Sequence, residues 1–370
     1  MDIHKLLTAM ADKLASDLFI TADLPPSMKI HGELISISST PLSAETAAKV
    51  VLGVMNESQR REFKQKKELN FAIQLKEVGR FRCSAFYQRN LMGMVIRRIE
   101  SSIPDMDQLG LPDTLKELVM AKRGLLIFVG ATGSGKSTSL AAMIGHRNRH
   151  SKGHIVSIED PIEFIHEHGS SIVTQREVGI DTESFEVALK NTLRQAPDVI
   201  MIGEVRSREA MSHAISFAET GHLCLCTLHA NNANQALDRI LHFFPADRHS
   251  QLLMDLSLNL SGIVAQQLIP SVDDNSRLAC LEVLLGTPLV SDLIRKGQVD
   301  KLKDLMRKST ELGMQTFDHA LYDLYIKGKI SYENALAYAD SENDLRLLIK
   351  LQSESNPRAL DYAADELELE

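Results

Sequence analysis

The chain has 370 residues, of which 44% are hydrophobic and 24% charged, an ordinary composition for a globular protein with one large or two modest domains. The formal net charge of −8 argues against a dedicated nucleic-acid-binding protein, which needs a basic surface, so no nucleic-acid partner is expected. The four cysteines include no C-x-x-C pair and suit a reducing cytoplasm, and no apolar run approaches the roughly 18 residues needed to cross a bilayer.

The first hundred residues are predicted to form a small α/β domain. The spacing of apolar residues indicates a helix over about 3–14, and Ser43 is expected to cap a second helix that runs to about residue 54. Short alternating segments separated by Pro and Gly indicate strands. The predicted strands are residues 17–21, 27–31, 33–38, 69–75, 80–88 and 92–99.

A second domain is predicted over residues 114–350, after a hinge-like linker at 101–113 that is rich in Pro, Gly and Asp. Near-continuous apolar strands alternate with helical segments there, which indicates a parallel sheet covered on both faces. The predicted strands are residues 125–129, 155–158, 199–202 and 223–228. After about residue 247 the chain is predicted to be mostly helical, and residues 351–370 are predicted to form an acidic, flexible tail.

The stretch 130-GATGSGKSTS-139 lies between a predicted strand and a predicted helix, which is the context of a phosphate-binding loop. Gly130 and Gly135 let the backbone curl so that successive N–H groups face the phosphates, and the following helix adds its positive N-terminus. Lys136 is expected to reach the β- and γ-phosphates of ATP, and the Ser137 hydroxyl is expected to ligate Mg²⁺. The predicted nucleotide-binding set also includes Thr132, Gly133, Ser134 and Thr138.

Carboxylates or a histidine follow three later strands of the predicted parallel sheet. Because ligands bind at the carboxyl ends of such strands, these side chains are expected at the same edge as the phosphate loop. Glu204 is the first candidate to polarise the attacking water or to hold the water shell of Mg²⁺, and Glu163 is the second. His229 is predicted to hydrogen-bond the γ-phosphate, while Glu159 and Asp160 are predicted to support the site from behind.

Phosphoryl transfer also needs positive charge, and the predicted strands of the first domain and the turns between them carry five arginines. They are Arg80, Arg82, Arg89, Arg97 and Arg98. Their spacing fits a solvated sheet face as well as arginine fingers that reach a nucleotide within the chain or across a subunit boundary. His222, at the start of the strand that ends before His229, is expected at the opposite edge of the sheet, where a structural and a functional role both stay open.

Six segments, taken in chain order, resemble the secretion-type ATPase superfamily. They are ASDLFITADLPPSMKIHGEL (15–34), GATGSGKST (130–138), IEDPIEF (158–164), TQREVG (174–179), TLRQAPDVIMIGEVR (192–206) and TGHLCLCTLHANNA (220–233). Within the superfamily, the sequence is similar to the type IV pilus retraction ATPases, the PilT/PilU group, over about residues 3–350. The resemblance implies a PAS-like N-terminal domain joined by a hinge to a RecA-like ATPase domain, assembly into a homo-hexameric ring, and hydrolysis of ATP with Mg²⁺. It also implies that Arg82 and Arg97 are arginine fingers and that Glu204 ends the Walker B strand.

Three departures from the usual retraction pattern bear on the assignment. Ser207 stands where the family often has Asp, and Ala196 stands where many members have an acidic residue. The C-terminal helix motif is poorly kept in 289-LVSDLIRKG-297. Together with the acidic tail, these departures favour a PilU-like accessory retraction motor.

The resemblance implies a cytoplasmic motor, peripheral to the inner membrane at the pilus base, that powers pilus retraction in twitching motility. The implied partners include an inner-membrane platform protein, and a paralogous retraction ATPase is an option. One alternative is the same enzyme in pilus assembly, type II secretion or DNA transfer, although the four-cysteine zinc module of the assembly and secretion branch is missing. The other alternative is a nucleotide-gated scaffold that supports a partner motor without catalysis.

Overall fold

The computed structural model describes residues 2–30, 32–76, 78–99, 102–273 and 276–353, which form two compact units. The first unit contains the described residues up to Ile103 together with Pro161–His166 and Arg176–Ser184. The second unit contains the remaining described residues. The acidic tail predicted at 351–370 lies outside the described residues from position 354 onward.

The first unit is built on a six-stranded antiparallel sheet. Its helices are α1 (Ile3–Asp12), α2 (Ala44–Gly53) and α3 (Glu57–Lys66). Its strands are β1 (Asp17–Ile20), β2 (Ser27–Ile30), β3 (Glu33–Ser36), β4 (Glu68–Leu75), β5 (Gly79–Gln88) and β6 (Leu91–Ile99). The strand order is β3-β2-β1-β6-β5-β4, so both predicted helices and all six predicted strands of this region are confirmed.

Helix α3 was not predicted from the sequence, although its N-terminus carries a local signal. The Asn56 side chain accepts from the Gln59 N–H, and the Gln59 side chain accepts from the Asn56 N–H, which is a capping box. The helix is very polar and buries only Phe63, which enters the core of the first unit with Phe81 and Met94. Because only one side chain anchors α3 in the core, its sequence shows little apolar periodicity, and the helix is not predicted from apolar spacing.

The second unit is built on a seven-stranded mixed sheet with strand order β13-β12-β7-β11-β10-β8-β9. Its strands are β7 (Gly124–Val129), β8 (His154–Glu159), β9 (Ile172–Glu177), β10 (Val199–Ile202), β11 (Leu223–Leu228), β12 (Leu260–Pro270) and β13 (Arg277–Leu285). The last two residues of β9 belong to the first unit. The helices are α4 (Asp113–Met120), α5 (Lys136–His150), α6 (Phe185–Thr192), α7 (Arg208–Glu219), α8 (Ala233–His242), α9 (His249–Asn259), α10 (Pro288–Arg295), α11 (Leu302–Arg307), α12 (Phe317–Ile326), α13 (Tyr332–Ala337) and α14 (Glu342–Ser353).

The strands at the centre of this sheet are parallel, as predicted. β12, β7, β11, β10 and β8 pair in parallel in that order. Every residue of β7, β10 and β11 is buried, which explains their continuous apolar sequences. The carboxyl ends of these strands therefore lie along one edge, where the phosphate loop begins.

The prediction of a mostly helical region after residue 247 was wrong for residues 260–270 and 277–285. These two segments form the long antiparallel pair of β12 and β13. The apolar run in β12 directly follows helix α9, so its sequence alone does not separate a strand from more helix. Pairing with β7 decides the outcome, because it buries Ile263, Val264 and Ala265 completely. Between Pro288 and Ser353 the secondary-structure elements are helices joined by short loops, as predicted.

All four cysteines are unpaired and buried. Burial raises the pKa of the Cys226 thiol to about 12, so the group stays protonated at neutral pH. Across the described ranges, no helix is long and apolar enough to cross a membrane.

Candidate functional site

The phosphate loop predicted at 130–138 connects strand β7 to helix α5. Gly133 and Gly135 have φ angles of +79° and +83°, a left-handed conformation that glycine adopts without strain. Gly135 directly precedes the helix, which begins at Lys136. The two glycines therefore let the chain curl back at the helix N-terminus, as a backbone cradle for phosphate requires.

Lys136 and Ser137 lie in the first turn of α5, where free backbone N–H groups and the helix dipole favour an anion. Lys136 Nζ donates to the carbonyl oxygens of Gly130 and Ala131, at 2.7 and 2.8 Å. The ammonium group therefore lies against the loop. Ser137 and the neighbouring Thr138 are half-buried in the same turn.

The groups around the loop fit a nucleotide phosphate with its magnesium ion. Thr132 and Gly133 are exposed at the tip of the loop, and Ser134 is buried beneath them. The hydroxyl of Ser137 is a hard oxygen donor of the kind that Mg²⁺ takes when the rest of its shell is phosphate and water. In the part of the chain that the structure describes, no cluster of three or more His, Cys, Asp or Glu side chains could hold a metal ion.

Glu204 lies just past the end of β10, at the centre of a charged cluster. Its Oε2 accepts a hydrogen bond of 2.6 Å from Arg206, and its Oε1 lies 3.0 Å from His229 Nε2. Burial by itself would raise the pKa of Glu204, but the hydrogen bond and charge of Arg206, then the charges of His229 and Lys136, outweigh it and lower the pKa overall. The carboxylate is therefore ionised at neutral pH and able to accept a hydrogen bond or a proton.

The parallel pairing of β10 with β11 explains why Glu204 and His229 meet. Ile202, near the end of β10, pairs with Cys226 of β11. The Val205 N–H then donates to the Thr227 carbonyl at 2.8 Å, which continues the pairing past the strand end. Both side chains follow directly at the carboxyl edge of the sheet.

Glu159 is the last residue of the neighbouring strand β8 and Asp160 follows it, but the two lie in different surroundings. Glu159 is 8% exposed, and its Oε1 accepts from Ser157 Oγ at 2.6 Å and from Gln175 Nε2 at 3.1 Å. Asp160 is exposed. The hydrogen bond and the charge of Glu204 raise the pKa of Arg206, and the negative charge of Asp160 adds to that shift. Glu159 therefore braces the end of the strand, whereas Asp160 adds negative charge around Arg206.

A cleft of about 470 Å³ opens on the outer side of the phosphate loop. One wall is the loop itself, and the facing walls come from the hairpin and from the connection after α13. The facing walls include Gln267, Leu268, Arg277, Tyr338 and Asp340. Its mixture of apolar, aromatic and polar groups suits an organic ligand whose phosphates reach the loop.

In the first unit, Arg82 and Arg97 are directly opposed on β5 and β6, so their side chains share one face of the sheet. Arg97 Nε donates to the buried Asp17 Oδ1 at 2.8 Å, while 70% of the Arg97 side chain is exposed. Burial raises the pKa of Glu177 in this unit, and the charges of Arg82 and Arg80 oppose that shift. Arg97 is thus held by the buried Asp17, and Arg80 Nη2 lies 3.9 Å from Oε2 of the buried Glu177.

The other candidates from the sequence lie elsewhere. Glu163 is exposed and belongs to the Pro161–His166 segment of the first unit. Arg89 is exposed in the turn between β5 and β6, where its φ is +50°. His222 Nδ1 lies 3.1 Å from Thr220 Oγ1 and 3.2 Å from the Phe217 carbonyl oxygen, which supports a structural role at the start of β11.

Arg206, Asp17 and Gln266 contact the candidate residues but were not predicted from the sequence. Arg206 had a usable signal, because it lies only two residues after Glu204. Asp17 and Gln266 had none, because Asp17 is 80 residues from its partner Arg97, and Gln266 is 132 residues from its partner Ser134. Contacts of that separation depend on strand order, which the sequence pattern does not reveal.

Comparisons with known proteins cover nearly the whole chain. The family model for type II/IV secretion system proteins matches residues 1–316. The type IV pilus ATPase PilU of Pseudomonas aeruginosa is 67% identical over 370 residues, covering 100% of this chain and 97% of the relative. The type IV pilus retraction ATPase PilT of the same organism is 40% identical over 335 residues, covering 90% of this chain and 97% of the relative. A crystal structure of the pilus retraction motor PilT with bound ADP superimposes with a TM-score of 0.87 at 37% identity, covering 94% of this chain and 99% of that chain.

Proposed function

The chain belongs to the type II/IV secretion system protein family, in its PilT/PilU group of type IV pilus ATPases, and on that premise we propose that it is an ATP-hydrolysing motor of the PilU type that powers pilus retraction. One observation carries the proposal. The ionised Glu204 is held between Arg206 and His229, and the charge of Lys136 reaches it from the phosphate loop. Phosphoryl transfer to water uses a side chain that orients the water beside the phosphates, and an ionised carboxylate at this position can do so.

Each side chain of the second unit takes one role in this proposal. Lys136 and the N–H groups of the loop hold the β- and γ-phosphates of ATP, and the Ser137 hydroxyl holds Mg²⁺. The metal, when bound, neutralises charge that develops on the phosphate oxygens. Glu204 orients the attacking water and accepts its hydrogen bond, while His229 contacts the γ-phosphate. The products are ADP and inorganic phosphate.

Three acidic residues and the cleft beside the loop complete the proposed site. Glu159 and Asp160 support the strand end behind the water, and Glu163 is a second carboxylate for the Mg²⁺ water shell. The cleft of about 470 Å³ beside the loop would receive the nucleoside. Its position next to exposed Thr132 and Gly133 supports that placement.

We propose further that the chain acts as a homo-hexamer in which Arg82 and Arg97 are arginine fingers. The exposed guanidinium of Arg97, fixed by the buried Asp17, supports this role, because a finger must be both accessible and preorganised. Nucleotide binding would then drive rotation of the units about the linker at 101–113. The motion would pass to an inner-membrane platform protein at the cytoplasmic side of the pilus base, beside a paralogous retraction ATPase.

Two substitutions in the purified full-length chain test the enzymatic core of the proposal. Lys136→Ala is expected to raise the Kd for ATP by more than about 100-fold, because it removes the cation on the phosphates. Glu204→Gln is expected to keep ATP binding and to lower kcat by about 100-fold or more, the usual contribution of such a carboxylate. Isothermal titration and a phosphate-release assay measure the two quantities.

Matched substitutions control for the loss of charge alone. Lys152→Ala and Glu209→Gln change exposed residues of the same unit and are expected to leave both constants within about twofold. Undiminished hydrolysis by the Glu204→Gln protein would show that Glu204 takes no part in the reaction. Undiminished ATP binding by the Lys136→Ala protein would show that the loop does not bind the phosphates of ATP.

A further inference from the structure

Gln266 contacts the phosphate loop from the neighbouring strand β12. Ala265 pairs in parallel with Val129, the last residue of β7, so Gln266 lies beside Gly130, the first residue of the loop. Gln266 is only 2% exposed, and both it and the loop belong to the second unit. The residue is therefore part of the frame on which the loop is built.

The contacts of Gln266 span the loop from its first glycine to its last. Its Nε2 donates to the Ser134 carbonyl oxygen at 2.9 Å. A Cβ at Gly135 would lie 2.8 Å from that Nε2, and a Cβ at Gly130 would lie 2.5 Å from the carbonyl oxygen of Gln266. Both distances are shorter than any ordinary contact, so glycine at these two positions lets the loop wrap closely around Gln266.

The hydrogen bond from Gln266 sets the direction of the peptide group between Ser134 and Gly135. In a trans peptide the C=O and N–H bonds point in opposite directions. Because the Ser134 carbonyl points toward Gln266, the N–H of Gly135 points to the other side of the loop. A phosphate-binding loop works by presenting successive N–H groups of this kind to the anion.

Packing alone does not account for an amide at this position. Among the described residues, Gln266 Oε1 and Ser134 Oγ are buried oxygens without a hydrogen-bond partner. A buried polar atom without a partner destabilises the folded state, whereas an apolar side chain of similar volume would avoid that loss. The donation from Nε2 to the loop is the contact that an apolar residue could not supply.

We propose that Gln266 is a positioning residue for nucleotide binding, which holds the Ser134–Gly135 peptide so that the loop presents its N–H groups to the phosphates. The proposal rests on the proposed assignment of the loop to ATP. Gln266 itself acts through the loop and touches no reacting atom. Its position also ties the β12–β13 hairpin to the site.

The test is the affinity of the full-length Gln266→Met protein for ATP, measured by isothermal titration well below its unfolding temperature. Methionine keeps the length and volume of the side chain but removes the donor. The Kd for ATP is expected to rise about tenfold, which is the loss of roughly one hydrogen bond's net contribution. The matched control is Gln315→Met, which removes a half-buried amide whose Nε2 donates to the Leu281 carbonyl oxygen at 2.8 Å, and it is expected to change the Kd by less than about twofold.

Two results would overturn the proposal. One is wild-type ATP affinity in the Gln266→Met protein, and the other is an equal loss in the Gln315→Met protein, which would show that removing any such amide weakens ATP binding. A purely structural role would lower the unfolding temperature without nucleotide but leave the Kd unchanged. If Gln266→Met does not fold, Gln266→Asn, whose amide is too short to reach Ser134, replaces it.

ATP binding by the Lys136→Ala and Gln266→Met proteins separates the proposed role of the loop from the proposed role of Gln266. If Lys136→Ala binds ATP normally, the loop does not hold the phosphates and the proposed function falls. If Lys136→Ala loses ATP while Gln266→Met keeps it, only the role of Gln266 falls.

Discussion

At the scale of single residues, opposing charges decide what each buried carboxylate can do. Glu204 accepts a hydrogen bond from Arg206, lies 3.0 Å from His229 and has the charge of Lys136 nearby, so its pKa is lowered despite partial burial. Glu282 in β13 is more deeply buried, and burial raises its pKa to about 7. The backbone N–H of Ala233, at the start of α8, donates to Glu282 Oε1 at 2.9 Å. Glu282 therefore anchors the helix that follows the His229 loop, in a protonation state that changes near neutral pH.

Glu282→Gln is expected to change how stability depends on pH. The pKa of Glu282 is higher in the folded state than its usual value of 4.5. Protonation of Glu282 therefore contributes fully to the free energy of unfolding below about pH 4.5, and this contribution is lost as the pH rises through about 7. The loss for the wild-type protein is on the order of 3 kcal/mol over that window. The glutamine side chain is neutral at every pH, so the free energy of unfolding of the variant should not show this loss.

Thermal unfolding followed by circular dichroism at several pH values between 4.5 and 7.5 measures this difference. Glu219→Gln, which changes an exposed carboxylate of the same unit, is the matched control and should follow the wild-type curve. Parallel curves for Glu282→Gln and wild type would show that Glu282 does not titrate in this range.

At the scale of helices and strands, local signals predicted the elements that depend on local sequence. Strands β7, β10 and β11 were found because complete burial gives an unbroken apolar run. The β12–β13 hairpin was missed because its pairing with β7 joins segments far apart in the chain. The phosphate loop is predicted from its contiguous motif. Gln266 is not predicted, because it contacts the loop from a segment 132 residues away in the chain.

One departure from the retraction pattern has a structural explanation at this scale, whereas a second places alanine in a strained conformation. Ser207 is the N-cap of α7, and its hydroxyl accepts from the Ala210 N–H at 3.2 Å. Asp is an equally good N-cap, so Ser and Asp are interchangeable there. Ala196 has a left-handed φ of +50°, which strains alanine more than Asp or Asn.

Ser207→Ala is expected to lower the free energy of unfolding by about 1 kcal/mol, because the first turn of α7 loses its side-chain acceptor. Ser207→Asp should keep the wild-type value, since the carboxylate restores the cap and suits the helix dipole. Chemical denaturation measures both. Ser212→Ala is the control, because Ser212 Oγ only donates to the Arg208 carbonyl within the helix. Equal losses for Ser207→Ala and Ser207→Asp would contradict the capping role.

At the scale of the whole molecule, the sequence predicted the α/β fold class and the family, and the comparisons confirm both. The motifs lie in order along the chain, so the resemblance needed no knowledge of packing. The membership of Pro161–His166 and Arg176–Ser184 in the first unit could not be read from the sequence. Those two segments lie between β8 and α6 in the chain, and only folding assigns them to the first unit.

Whether ATP hydrolysis by this chain helps to retract pili is measured most directly in the host. Surface pili and twitching are compared between a gene deletion and the same strain complemented with wild type or Glu204→Gln. The expected result is that the deletion strain keeps its pili but moves poorly, and that only the wild-type gene restores movement. Cells without pili would indicate an assembly motor. Full rescue by Glu204→Gln would indicate a scaffold, and either result would contradict the claim.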